Sequence, residues 1–261
     1  MKFLDCNACF GKEIVNHECV NHENFIILEP VKLANTAEEL LAEMDRVEIS
    51  KAVVWHQSQY NYDATAGNET LIHEIAGKEE RLIPSWVILP EITDEQYKTN
   101  VFFDSMKKNG VKTLRAYPVQ NRYVLDEITM GEQLQLISEL KIPLYLSPRD
   151  GYDSIYHIMR QFPNLTVILS NIGWWPSARQ IYPLLKAYPN FYFETGDFSQ
   201  LNGIEEVCVK FGSERMLFGT NFPTNSMAGS MYTLMKAPIS QEDRENIAHG
   251  NMERLLNEVK L

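Results

Sequence analysis

No stretch of this chain approaches the roughly 18 uninterrupted apolar residues of a helical membrane span, so none is expected. Cationic side chains are scarce: 24 lysines and arginines stand against 35 acidic residues, a net charge of −11. The clustered Lys and Arg that nucleic acid or an anionic membrane calls for are missing, and neither is expected as a partner. The first residues lack a basic segment followed by an apolar run, so no signal peptide is expected. With four cysteines in 261 residues, the thiols are expected to be reduced and the protein cytoplasmic. No G-x-G-x-x-G follows the first apolar run, which weakens a dinucleotide-binding reading.

What is present is a repeated alternation. Short β-rich apolar runs, beginning with KFLDCNA and KAVVWHQ and ending with NFYFET and RMLFGTNFP, are each followed by a stretch of helical character. Thr36 with Glu39 three residues on has capping-box spacing for the first helix. A helix is expected over DEQYKTNVFFDSMKKNG, acidic at its start and basic before Gly110, and Asn251 is expected to cap the last helix. Eight strand-then-helix units imply a parallel sheet. In about 250 residues that is the size of a single α/β domain over 1–261, a closed (β/α)8 TIM barrel. An open doubly wound sheet is the alternative. The longest irregular stretch, Gly11 to Asn35, has the length of a functional loop. Such barrels commonly form homo-oligomers, and nothing in the sequence specifies one.

In such a barrel the chemistry sits at the C-terminal strand ends. Alternation along each strand selects polar candidates: Asn7 and Cys9, His56 or Gln57, Arg115 and Tyr117, Ser147, Asn171, Glu194 or Thr195, and Asn221. Arg115 either anchors a substrate anion or pairs with a carboxylate such as Glu194. His56 is suited to proton transfer or to a structural hydrogen bond. Cys9 is the axial thiol, a nucleophile only if a neighbouring cation lowers its pKa. Tyr117 either meets a ligand or packs at the rim. Trp174 and Trp175 either wall a pocket or pack. Cys6, Cys9, His17, Cys19 and His22 form a weak alternative metal clip; Cys6 and Cys9 are expected on opposite faces of a continuing strand. Cys208 reads as core.

The strand ends carry a resemblance. FLDCNACFG, GVKTLRAYP, IPLYLSP, VILSNIGWWP, MLFGTNFP and NIAHGNMERLL, in that order, resemble the motifs of the amidohydrolase-related branch of metal-dependent TIM-barrel hydrolases. The resemblance implies a TIM barrel and a metal site built from four histidines and an aspartate. Those positions are Asn7, Cys9, Ser147, Asn171 and Asn221 here. Amides and a hydroxyl are poor ligands for zinc. A site with no metal and no other cofactor is therefore expected.

Two functions remain open at this level. One is a hydrolase-like enzyme acting on a small carboxylated molecule, by hydrolysis, lactone opening or decarboxylation. Asn7, Asn171 and Asn221 would donate to a developing oxyanion. Arg115, Tyr117, Ser147 and Glu194 would bind substrate, with His56 or Cys9 moving protons or attacking. The other is a silent barrel that binds a small anion as sensor or assembly partner.

Overall fold

The computed structural model describes residues 1–12, 33–173 and 178–261. Its eight strands are β1 (Leu4–Phe10), β2 (Lys51–His56), β3 (Leu82–Val87), β4 (Thr113–Arg115), β5 (Leu144–Leu146), β6 (Val167–Leu169), β7 (Phe191–Glu194) and β8 (Met216–Leu217). They pair in parallel and in chain order. Cys6 N donates to Phe218 O at 2.8 Å and Cys9 N to Phe222 O at 2.9 Å, which joins the last segment to the first. The fold is therefore a single (β/α)8 barrel and not an open sheet.

The helices follow local chemistry. Thr36 caps α1 (Ala37–Val47) by accepting from Glu39 N, while Glu39 Oε2 reaches back to Asn35 N at 2.7 Å, one residue short of a reciprocal box. A short α2 (Gln57–Asn61) follows β2 directly, and α3 (Ala64–Glu74) crosses it at Gly67, where an added Cβ would lie 2.5 Å from Gln59 N. The helix expected from Asp94 begins later, as α4 (Thr99–Lys108), because Asp94 is left-handed and ends a 3-10 turn. Then come α5 (Glu127–Glu139), α6 (Tyr152–Gln161), α7 (Ala178–Ala187), α8 (Gly203–Phe211), α9 (Met227–Lys236), α10 (Gln241–Glu245) and α11 (Asn251–Glu258). Asn251 does not cap α11. Its backbone is helical, continuing a π-turn, and its side chain donates to Ser213 O and Met216 O.

Two cores result. The layer between strands and helices contains Ala8, Phe10, Leu114, Leu146, Phe193 and Phe218. The barrel interior holds Leu4, Cys6, Val53, Tyr145, Ile168, Tyr192 and Leu217. A register shift in β1, three residues from Asp5 to Ala8 against two from Ala52 to Val54, reverses the alternation midway. Cys6 packs inside the barrel, and Cys9 beyond the shift also faces inward at the mouth. The expectation of opposite faces is thus corrected by the bulge. The other members of that Cys/His cluster lie outside the described residues. Cys208 is half-buried on α8 against the outer layer. No described helix is long and apolar enough to cross a membrane.

Candidate functional site

The C-terminal strand ends surround a cavity of about 420 Å³, a volume suited to one small ring compound. Cys9, Tyr117, Ser147, Asn171 and Asn221 line it, as do residues the sequence did not single out: Trp55, Tyr60, Arg149, Asp150 and Phe222. One wall is aromatic. Tyr60 meets Tyr117 edge-to-face at 4.9 Å, and Trp55 lies 6.2 Å from Tyr117 and 6.4 Å from Tyr60. The other side presents hydroxyl and amide groups. A flat ring carrying polar substituents matches both walls.

Of the two candidates ending β2, Gln57 lines the cavity. His56 turns away: its ring packs on Phe10 at 5.2 Å, and its Nδ1 accepts from Ser58 N to cap α2. Burial lowers its pKa. Strand parity alone left this choice open, and the structure removes His56 from the mouth.

Arg115 is also displaced from its expected role. It is 1% exposed and lies beneath the aromatic wall, 4.2 Å from the Tyr145 ring and 5.5 Å from that of Trp55. Its Nε donates to Ser85 Oγ at 3.2 Å, while Nη2 is buried without a partner. Among the described residues it forms no ion pair, with Glu194 or any other acid; the aromatic faces do part of a counter-ion's work.

Asn7 and Glu194 sit behind Asn171. Asn7 Nδ2 donates to Asn171 Oδ1 at 3.0 Å and faces Glu194 Oε1 at 3.4 Å. Glu194 also accepts from Asn171 N at 3.0 Å and Gly196 N at 2.5 Å. Burial pushes its carboxyl up to about 7, against the pull of those backbone donors. It does not line the cavity. Asp5 stitches β1 to the last strand segment: Oδ1 accepts from Asn7 N and Thr220 N, Oδ2 from the Thr220 hydroxyl at 2.5 Å. Its pKa is nevertheless raised by burial.

Asn171 and Asn221 both have left-handed backbones, φ 55° and 51°. Asparagine tolerates that region better than other non-glycine residues, so these amides have a conformational reason as well as a chemical one. Asn221 Nδ2 is held by both oxygens of Asp197 at 3.1 Å. Ser147 Oγ accepts from Arg149 N at 3.2 Å. The Cys9 thiol is 1% exposed and donates to Phe10 O at 3.7 Å. Trp174 and Trp175 lie outside the described residues.

Asp150, missed at the sequence level, has the chemistry of a proton carrier. It is partly buried at the mouth, its Oδ1 accepts from Val119 N at 3.2 Å, and burial raises its pKa against the lowering effect of Arg149. The signal was the SPRD run directly after β5, which the alternation rule stops short of.

No curated protein matches the chain. Several solved structures do. An uncharacterised TIM-barrel protein from Bordetella bronchiseptica aligns over 99% of both chains at 20% identity, TM-score 0.77. A dihydroxybenzoic acid decarboxylase from Polaromonas, with bound manganese and the inhibitor 2-nitroresorcinol, aligns over 98% of this chain and 97% of its own at 16% identity, TM-score 0.69. A 5-carboxyvanillate decarboxylase from Novosphingobium aromaticivorans, complexed with manganese and 4-hydroxy-3-methoxy-5-nitrobenzoic acid, aligns over 98% and 96% at 15% identity, TM-score 0.73. At these identities the likeness carries the fold.

It also corrects the expectation of a barrel without a cofactor, because two structures of this fold hold manganese. That expectation judged the substituted positions by what zinc prefers, whereas manganese accepts oxygen donors. The described residues contain no group of three or more His, Cys, Asp or Glu able to hold a metal. They do contain one buried oxygen donor of the kind a hard cation takes: Asn7 Oδ1 accepts no hydrogen bond among the described residues. The family model described as amidohydrolase matches residues 32–257, and the chain belongs to that family.

Proposed function

We propose that the barrel mouth binds a small aromatic carboxylate and removes its carboxyl group as carbon dioxide. The observation that carries this reading is the cavity itself, an aromatic wall opposite a row of hydroxyl and amide groups, with a carboxyl group of raised pKa at its edge. Decarboxylation of such a ring needs an acid that protonates the carbon bearing the carboxylate; the carbon–carbon bond then breaks and its electrons return to the ring. Hydrolysis and lactone opening need an activated water instead, and Asn221, at the position where the resemblance implies an aspartate, is an amide that cannot take a proton from one. Two decarboxylases that share the fold are named for substrates of this class, a dihydroxybenzoic acid and 5-carboxyvanillate.

The residues divide the work. Trp55, Tyr60 and Tyr117 hold the ring face. Ser147, Asn171 and Asn221 meet its oxygen substituents, the last fixed by Asp197. Asp150 delivers the proton from its carboxyl and regains one from solvent after carbon dioxide leaves. Asn7 Oδ1 would be one of the oxygens that hold manganese. Bound there, the ion supplies positive charge that draws in and polarises an oxygen-bearing substrate.

The test uses the full chain with manganese supplied and a panel of ring-hydroxylated benzoates labelled at the carboxyl carbon. Labelled carbon dioxide is expected from at least one of them. Release from none, with tight binding of several, would make the protein a binder and not an enzyme.

A further inference from the structure

Once Arg115 is placed beneath the wall, the substrate carboxylate needs another cation. The mouth offers a single one among its described lining residues, Arg149. It stands on the 3-10 turn Pro148–Asp150 that follows β5. Ser147 Oγ holds Arg149 N, Ser147 O accepts from Asp150 N at 3.1 Å, and Pro148 O accepts from Gly151 N at 2.9 Å. The backbone that carries the guanidinium is thus fixed on both sides, while the side chain is exposed and forms no ion pair among the described residues. Its nearest acid in sequence, Asp150, is already tied to Val119 N through Oδ1. A guanidinium with five donors in a planar fork and no ion pair to a described residue, on a fixed turn at the edge of an aromatic-walled cavity, is suited to a carboxylate that projects from a bound ring.

We infer that Arg149 is the specificity-determining residue of the mouth: it selects rings that carry a carboxylate over the same rings without one. The inference rests on the mouth being the aromatic-acid site proposed above. Arg149 contributes binding and orientation, and Asp150 beside it contributes the proton, so adjacent residues of one turn hold and convert the same group.

The experiment compares two probes, 2,6-dihydroxybenzoate and its carboxylate-free counterpart resorcinol, by titration calorimetry on the full chain with manganese supplied. Wild-type protein is expected to prefer the acid. Arg149→Gln is expected to weaken acid binding about 10- to 100-fold, the range of a charge-assisted hydrogen bond, and to leave resorcinol unchanged. Arg149→Lys should recover part of the preference. Because the residue is exposed, an unchanged melting temperature identifies a folded variant. Acid binding equal to wild type in Arg149→Gln overturns the inference and leaves the mouth reading intact. Wild-type protein that binds neither probe overturns both.

Discussion

Arg115→Ala is expected to destabilise the protein by about 3–5 kcal/mol, and Arg115→Met to stay within about 1–2 kcal/mol of wild type. The alanine variant removes a long, fully buried side chain from between the rings of Tyr145 and Trp55 and opens a void under the mouth. Cores lose stability on such truncations because the surroundings relax only in part. Methionine fills a similar volume without a charge to desolvate. A buried guanidinium with no ion pair among the described residues and an unpartnered Nη2 is an expensive way to fill space. Its compensation comes from the ring faces, from Ser85 and from its pull on the Asp5 carboxyl. Urea unfolding at neutral pH separates the cases. A methionine variant as unstable as the alanine variant would mean that the charge itself holds the barrel floor.

Asp150→Asn is expected to lower the rate of carbon dioxide release about 10²- to 10⁴-fold, the span attributed to a positioned proton donor. Asparagine keeps an oxygen for Val119 N, so the turn survives while the proton is lost. The pH dependence has a definite sign. A donor works when protonated, so the rate is highest on the acid side and falls as pH rises through the Asp150 pKa. Burial raises that pKa above the ordinary aspartate value, so the fall comes at higher pH than an exposed aspartate would give. The asparagine variant should show a flat residual rate over the same range. Initial rates across the acid-to-neutral range decide it; a wild-type rate that rises with pH would assign the chemistry to a base.

The architecture was legible because hydrophobic periodicity, caps and strand spacing are local properties. Thr36 caps where its spacing with Glu39 says it should. The site was legible only by position. Alternation gives the face of a strand and not the depth of a side chain, so it found Arg115 inward without showing that Tyr145 and Trp55 cover it. It could not separate His56 from Gln57, because the strand passes straight into α2 at that point. The bulge in β1 depends on how β2 pairs, which no single segment reveals. Arg149 and Asp150 lie on a turn, where alternation does not apply. The resemblance makes Asn171 and Asn221 positions of a metal site, but their left-handed backbones show a further reason for asparagine that only the folded chain discloses.

The central claim is that the strand-end cavity is where an aromatic acid binds. A crystal structure of the protein with 2,6-dihydroxybenzoate tests it most directly. The account predicts one ring at the mouth, its face on Trp55, Tyr60 and Tyr117, its hydroxyls toward Ser147, Asn171 and Asn221, and its carboxylate on Arg149. A ring bound instead in the flanking groove of about 740 Å³ lined by Tyr123, Tyr156, His157 and Arg160, with the mouth unfilled, would contradict it.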